Sequence, residues 1–454
     1  MLQYAIAIAI IGASAIALLL VQNPFSGRER RYLWAGLGAY LFTAIFKIWL
    51  VTDFYAGSGD MMRYDRTAVQ LSNYMQQDFG LYAPEVLRLL FQIDLQTTLQ
   101  IFGAGGSTGS MSAALAIFYH MMGDSLYLAS LFYAALSFFS CIAMYWALRQ
   151  LFAAAYRPAL LWASILLPSS VFWTAGYSKE LFAIIGLNLA IFGLYHLFIQ
   201  RGTRLKGAFF ASLGIGLIAM FKGFMLIALI AAMGAYYYAT RRRQLVQSPQ
   251  MKMLTPFYLL IALAVAIGGF LLVGELFPRF SIEQMTAEIA HGQEAGARGG
   301  SAMQIGDPTQ RSFAAQLAFA PVALINSLFR PFLFEAHNPV ALANALETTV
   351  LTILLVLALK RLGLRRVTNA LMNSPVLLGS LTIVIIMGIG VGLATANMGT
   401  LSRYRTPMMP FWVLIIGVLF TWSQQEKNAR LTQSQSRDGR VKPSNSGSRV
   451  GSNP

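Results

Sequence analysis

Runs of about 18 or more apolar residues recur along the whole chain, and this recurrence limits what the chain can fold into. A run of that length, folded as an α-helix, crosses the hydrocarbon core of a bilayer. We therefore predict about eleven membrane-spanning helices. They lie at about 3–21, 33–51, 124–148, 157–174, 180–199, 206–220, 223–240, 255–275, 340–359, 375–396 and 406–423.

Composition supports this fold class, an all-α integral membrane protein. Charged residues make up only 11% of the 454 residues, whereas a soluble domain carries about 25%. The net charge of +16 does not indicate a nucleic-acid partner, because the cations lie in short clusters between apolar runs. The single cysteine excludes an intrachain disulfide and a cysteine-based metal site.

The basic clusters predict the orientation, since short cytoplasmic loops are enriched in lysine and arginine. With about eleven spans, these clusters share one side if the N-terminus is periplasmic and the C-terminus cytoplasmic. The first run lacks the basic start and cleavage site of a signal peptide, so we interpret it as a retained span. The clusters comprise Arg28, Arg30, Arg31, Arg149, Arg157, Arg201, Arg204, Lys206, Arg241, Arg242, Arg243, Lys360, Arg361, Arg365, Arg366, Lys427, Arg430, Arg437, Arg440, Lys442 and Arg449.

This orientation divides the chain into a polytopic membrane domain, 1–423, and a disordered basic cytoplasmic tail, 424–454. Two long segments of the membrane domain, about 52–123 and 276–339, then lie in the periplasm. The shorter apolar segments at about 110–122 and 313–329 are interpreted as re-entrant or interfacial. Counting 313–329 as a span would move the basic cluster that follows it to the periplasm.

Within the first periplasmic segment, apolar residues recur at helical spacing from Thr67 to Met75 and from Pro84 to Leu95. This pattern is typical of helices that lie in the plane of the membrane surface. Another segment, 281–311, is rich in Gly and Gln with scattered charge, and we expect a mobile loop there.

The stretch Ser327–Asn338 places Arg330, Glu335 and His337 within a few residues of one another. Prolines on both sides interrupt the helix, and ionisable groups at membrane depth are usually functional. Glu335 with His337 is a candidate catalytic pair, because imidazole titrates near neutrality. A structural histidine is the alternative. His120, His196 and His291 show no ligand spacing with His337, so no metal site is predicted.

Other polar residues predicted on the same side complete a candidate site. Arg403 and Arg405 precede the last span, and arginine binds phosphate oxygens in a bidentate manner. With Arg330, Lys222 and Lys179 they form a candidate phosphate-binding set, and pairing with acidic residues in a structural network is the alternative. Asp60 is a candidate catalytic acid or base, with helix capping as the alternative. The secondary candidates are Asp53, Arg63, Asp65, Glu180, Asn338 and Tyr404.

A long first loop with an acidic residue just past a span resembles the GT-C superfamily of polyprenyl-phosphate-dependent glycosyltransferases, as do the in-plane helices and the Arg-Tyr-Arg-x-Pro-x-x-Pro string before the final span. In that family the first-loop carboxylate acts as catalytic base or orients the acceptor, and here the matching residue is Asp60, with Asp53 second. The loop follows the second span rather than the first. It carries no Asp-x-Asp pair, so no cofactor is predicted, and the need for a divalent metal stays open.

The resemblance implies transfer of a sugar from a polyprenyl-linked donor to a glycan or lipid-linked acceptor at the bacterial inner membrane, in exopolysaccharide or envelope-glycan synthesis. Wzy-type polysaccharide polymerases and O-antigen ligases are a rival match, because they hold a polyprenyl pyrophosphate with arginines. A lipid-linked glycan flippase or transporter is the alternative of another class, but no internal repeat of the kind it predicts is evident.

Overall fold

The computed structural model of the protein describes residues 1–57, 59–96, 100–200, 202–245 and 313–437, together with Glu283, Thr286, Ala287, Ala290 and Glu294. The regular elements in these ranges are helices. Eight of them have the length and composition needed to cross a membrane. The chain is therefore an all-α, multi-pass membrane protein.

The helices are numbered in chain order over the described residues. The first eleven are α1 (Leu2–Val21), α2 (Gly27–Trp49), α3 (Asp60–Gln77), α4 (Phe79–Leu90), α5 (Ser107–Met122), α6 (Leu126–Arg149), α7 (Arg157–Leu161), α8 (Pro168–Thr174), α9 (Lys179–Phe198), α10 (Arg204–Lys222) and α11 (Met225–Leu245). The others are α12 (Phe313–Leu317), α13 (Ala320–Phe329), α14 (Pro339–Leu362), α15 (Leu364–Asn373), α16 (Pro375–Ala394), α17 (Met398–Tyr404) and α18 (Met409–Arg437).

The eight candidate spans each overlap one of the predicted runs. A π-helical turn, Leu50–Phe54, lengthens the second span beyond α2. The spans are Leu2–Val21, Gly27–Phe54, Leu126–Arg149, Lys179–Phe198, Arg204–Lys222, Pro339–Leu362, Pro375–Ala394 and Thr406–Gln433.

The other three predicted runs have different outcomes. The run at 157–174 is broken into α7, a π-helical turn and α8, because Pro168 cannot continue the preceding helix. The run at 223–240 forms α11, which is helical but does not qualify as a span, since tyrosines and arginines fill its second half. The run at 255–275 and the loop at 281–311 fall almost entirely outside the described residues.

The two shorter apolar segments form helices too short to count as spans. The segment 110–122 belongs to α5, which packs against α3 and α4. The segment 313–329 is divided between α12 and α13, with Pro321 near the start of the second helix. The two stretches with helical spacing in the first predicted periplasmic segment fall largely on α3 and α4, which are both amphipathic, and their placement at the membrane surface stays a prediction.

The described chain divides into two compact units. The first unit comprises Met1–Leu148 and Ser164–Leu226, and the second comprises the described residues of Arg149–Ala163 and Ile227–Pro454. In the first unit, the face of α2 that carries Leu33, Tyr40 and Ala44 is buried. That unit also holds a large apolar core in which α3 and α5 bury one another.

Helices α9 and α10 pack closely along their lengths because small residues line their contact. A Cβ at Gly207 would lie 2.5 Å from the backbone nitrogen of Leu197, and one at Gly214 would collide with the backbone of Ala190. Gly216 faces the other way, and a Cβ there meets nothing within 4 Å. Small residues at intervals of three or four allow backbones in membranes to approach this closely.

In the second unit, α13 packs against α16, and α18 packs against both α14 and α16. A Cβ at Gly392 on α16 would collide with the backbone of Ala323 on α13, so this contact also depends on a glycine. The last helix does not end where the predicted tail begins. It continues past Ser423 to Arg437, because the residues that follow are good helix formers and Glu426 lies one turn before Arg430.

Candidate functional site

The predicted site residues fall into two groups, one in each unit. In the first unit, a buried ion pair joins the start of α9 to the end of α10. Nζ of Lys222 lies 2.9 Å from Oε1 of Glu180, and the two side chains are only 6% and 1% exposed. Ser178 caps α9 by accepting a hydrogen bond from the backbone N–H of Leu181, which fixes where the helix begins and therefore where Glu180 lies.

The glycine-rich start of α5 lies at the same end of the α9–α10 pair. Nζ of Lys179 donates a hydrogen bond of 2.9 Å to Oγ1 of Thr108 in the first turn of α5. The side-chain amide of Gln92 donates to the carbonyl oxygen of Met220 at 2.6 Å and to Ser110 at 3.1 Å. Three helix ends are thus held together by polar side chains.

A second polar cluster joins α3 to α5. The hydroxyl of Tyr119 donates to Oδ1 of Asp65, and Ser72, two turns further along α3, donates to Asp124 at 2.9 Å. Burial raises the pKa of Asp65, and the charge of Asp124 adds to this effect; the Tyr119 hydrogen bond and the charge of Arg66 act against it without cancelling it. Asp65 is therefore a carboxyl group that gives up its proton less readily than usual.

The remaining first-unit candidates lie around the start of α3. Gly59 is the N-cap, and Asp60 is the first helical residue rather than the cap, so its carboxylate faces the favourable end of the helix dipole. Asp53 is exposed on the π-helical turn and accepts a hydrogen bond of 2.6 Å from the Thr52 hydroxyl. The Arg63 guanidinium lies 4.7 Å from the ring centre of Phe102.

In the second unit, Arg330 and Glu335 form an ion pair on the irregular turn between α13 and α14. Nε of Arg330 donates to Oε2 of Glu335 at 3.1 Å, its Nη2 donates to Oε1, and the backbone N–H of Phe332 donates to Oε2 at 2.8 Å. The side chains of the pair are 22% and 13% exposed. The carboxylate is therefore held at both oxygens.

The surroundings of Glu335 make it a weak base. Burial alone would raise its pKa, but the hydrogen bonds from Arg330 and the Phe332 N–H, with the positive charges of Arg330 and His337, lower it overall. His337 itself is exposed. Asn338 is the N-cap of α14 and accepts a hydrogen bond of 2.8 Å from the backbone N–H of Ala341.

Arg405 differs from the other arginines because it is completely buried. Its Nη1 donates to the carbonyl oxygens of Ser327 and Arg330, and its Nη2 donates to Oγ1 of Thr348 at 3.0 Å. Arg403 lies in the last turn of α17, with its guanidinium 5.1 Å from the ring centre of Tyr404.

No family model, curated protein or solved structure matches the chain.

No group of three or more histidine, cysteine, aspartate or glutamate side chains is arranged to hold a metal ion in the part of the chain that the structure describes.

Sequence reasoning missed several residues of both groups. Glu347 lies in α14, inside a candidate span, and its charge acts on Arg405. Glu347 falls in the apolar run at 340–359, where an ionisable residue inside a predicted span is itself a signal of function. Thr108, Gln92 and Tyr119 carry no such signal, because uncharged polar residues are common on any helix.

Proposed function

We propose that this protein is a glycosyltransferase that uses a polyprenyl-phosphate or polyprenyl-pyrophosphate donor. In this proposal it works at the periplasmic face of a bacterial inner membrane, in exopolysaccharide or cell-envelope glycan synthesis. The donor's polyprenyl chain lies in the bilayer, and its headgroup meets the charged residues at the ends of the spans. The acceptor is a glycan or a lipid-linked sugar.

The observation that carries the proposal is the charged group around the turn between α13 and α14. Arg330 is paired there with Glu335, and the buried Arg405 donates to the carbonyl oxygen of Arg330, with Arg403 two positions before Arg405 in the chain. It lies beside the ends of two candidate spans, Pro339–Leu362 and Thr406–Gln433. Guanidinium groups bind phosphate oxygens, and in this proposal they meet a lipid phosphate at the depth where a polyprenyl chain would hold it.

The proposed reaction is a displacement at the anomeric carbon of the donor sugar. The acceptor hydroxyl oxygen forms a bond to that carbon, the bond from the carbon to the phosphate oxygen breaks, and the hydroxyl proton passes to a protein carboxylate. Polyprenyl phosphate or pyrophosphate leaves with the bonding electrons. Arg330 and Arg403 are the proposed ligands of the leaving phosphate, because guanidinium groups stabilise the charge that develops there.

The hydrogen bonds of the carboxylates guide their proposed roles. Both carboxylate oxygens of Glu335 already accept hydrogen bonds, from Arg330 and from the Phe332 N–H. We therefore assign Glu335 to orient Arg330 rather than to accept the proton. Within the first unit, the raised pKa of Asp65 makes this carboxyl group a separate candidate for proton transfer, because catalysis favours a pKa nearer the working pH. Asp60, which matches the first-loop carboxylate of the GT-C pattern, remains the other candidate base.

Reconstitution in liposomes tests the proposal directly. Purified protein is mixed with a short-chain polyprenyl-phosphate sugar or a polyprenyl-pyrophosphate sugar, and the organic phase is analysed for a new glycoside and for released polyprenyl phosphate. We expect loss of product in Arg330→Ala, Arg403→Ala and Asp65→Asn, but not in the control Arg430→Ala, whose side chain is 66% exposed. Full activity in all three variants would refute the site assignment.

A polymerase or ligase that joins whole repeat units is the second candidate, and the arginine-rich group of the second unit favours it. Such enzymes hold a pyrophosphate with arginines and need no metal. Analysis of the lipid-linked glycans in a deletion strain distinguishes the two hypotheses. Accumulated single repeat units indicate a polymerase, and truncated repeat units indicate a single-sugar transferase. If reconstituted protein moved a lipid-linked glycan across the bilayer without a covalent product, both enzyme readings would be wrong and a flippase would be right.

A further inference from the structure

The guanidinium group of Arg405 donates hydrogen bonds to other groups of the protein. Its Nη1 contacts two carbonyl oxygens near the end of α13, and its Nη2 contacts a threonine hydroxyl on α14. The last carbonyl groups of a helix have no partner within that helix, so a buried helix end needs a donor from outside. Arg405 supplies this donor to α13, and in doing so it ties the C-terminal end of α13 to α14.

One of the two carbonyls belongs to Arg330. The side chain of that residue is bound to Glu335, so Arg330 is held at its backbone by Arg405 and at its guanidinium by Glu335. Arg330 is therefore fixed both at its backbone and at its guanidinium group. Glu347 on α14 supplies an opposite charge for Arg405. A buried arginine without such a charge nearby would be costly to keep inside the protein.

We propose that Arg405 is a positioning residue that sets the backbone of the turn from Ser327 to Asn338, on which Arg330 and Glu335 are presented. The proposal rests on the proposed function for its consequence, which is that Arg330 is held ready for a lipid phosphate. It changes the expected role of Arg405, which leaves direct phosphate contact to Arg330 and Arg403.

Hydrogen exchange tests this arrangement without any need for glycosyl transfer. In the full-length protein in detergent, we expect Arg405→Gln and Arg405→Lys to speed exchange of the amides in 327–338 by about tenfold or more, with α9 and α10 unchanged. Arg405→Lys is informative because a lysine keeps the charge but cannot contact both carbonyls and Thr348. Thr348→Val removes only one contact and should give a smaller change in the same segment.

The proposal is overturned if exchange in 327–338 is unchanged in Arg405→Lys and Arg405→Gln, or if all segments exchange faster together. A protein that passes this test but transfers no sugar would refute the proposed function and leave the positioning role intact.

Discussion

Lys222 and Glu180 meet at 2.9 Å, each almost fully buried, where α9 begins and α10 ends. A charge taken out of water is expensive unless its partner stays with it. The pair therefore contributes to how the first unit is held together, in addition to any contact of Lys222 with a substrate phosphate.

Breaking this pair on one side should be more harmful than removing it entirely. We expect Lys222→Met or Glu180→Gln to lower the free energy of unfolding by about 3–5 kcal/mol, since each leaves one buried charge without its partner. The double variant Lys222→Met, Glu180→Gln should lose less than the sum of the two. Thermal unfolding in detergent measures this, and Lys427→Met, at an exposed position, is the control. Strict additivity of the single variants would contradict the prediction.

The packing of α9 on α10 predicts a sharp difference between two glycines on one helix. Gly214→Val places side-chain atoms against the backbone of Ala190, whereas Gly216→Val points into open space. We expect Gly214→Val to abolish folded protein or lower its thermal midpoint strongly, and Gly216→Val to leave it nearly unchanged. Size-exclusion chromatography after heating distinguishes them. Equal behaviour of the two variants would show that the close approach is wrong.

The lowered pKa of Glu335 gives a pH prediction for the turn in the second unit. Because its pKa is lower in the folded protein, the ion pair with Arg330 adds stability that is present above the ordinary glutamate range and is lost as pH falls through the folded value. Fluorescence of Phe334→Trp, at an exposed neighbour, should stay constant from neutrality until the pH drops below the range that is usual for glutamate. His337→Ala should shift the midpoint to higher pH, because a positive charge is removed. A midpoint that did not move, or that moved to lower pH, would contradict this account.

The pKa of Asp65 is shifted in the opposite direction to that of Glu335. Its folded pKa is raised, so protonated Asp65 is favoured at low pH, and a base with this pKa becomes active only above the ordinary aspartate range. The acidic limb of kcat/KM in sugar transfer should therefore shift to lower pH in Asp124→Asn, which removes a like charge, and to higher pH in Tyr119→Phe, which removes a hydrogen bond to the carboxylate. Asp94→Asn, at an exposed position, is the control. Identical limbs in all variants would exclude Asp65 as the base.

The sequence predicts the membrane class and most spans well, because length and hydrophobicity decide whether a helix can cross a bilayer. It predicts less well where a proline or a run of polar residues acts locally. The 157–174 run is broken at Pro168, and α11 has too many tyrosines and arginines for a span. Helix α18 continues past 423, where the sequence predicts the tail to begin, because the residues that follow favour helix formation. A count of apolar residues does not take this helix propensity into account.

The candidate site is only partly predictable, because a sequence shows which residues are charged but not which side chains pair with each other in the fold. Arg330 and Glu335 could be linked in advance by their spacing. That Arg405 is buried on carbonyl groups, and that Glu347 balances it, depends on contacts between residues far apart in the chain. The pairing of Lys222 with Glu180 is likewise not evident from the sequence, since the two residues are 42 positions apart and only helix packing brings them together.

The length of α18 has a physical outcome beyond the site. Its 29 residues measure about 44 Å along the axis, which is about 14 Å longer than the hydrocarbon core. If the apolar part of α18 crosses the bilayer along its normal, the final turns, with Glu426, Lys427 and Arg430, extend beyond the hydrocarbon core as continuous helix. A probe attached near Arg437 would be carried clear of the lipid headgroups and would report from the aqueous phase rather than from the bilayer surface.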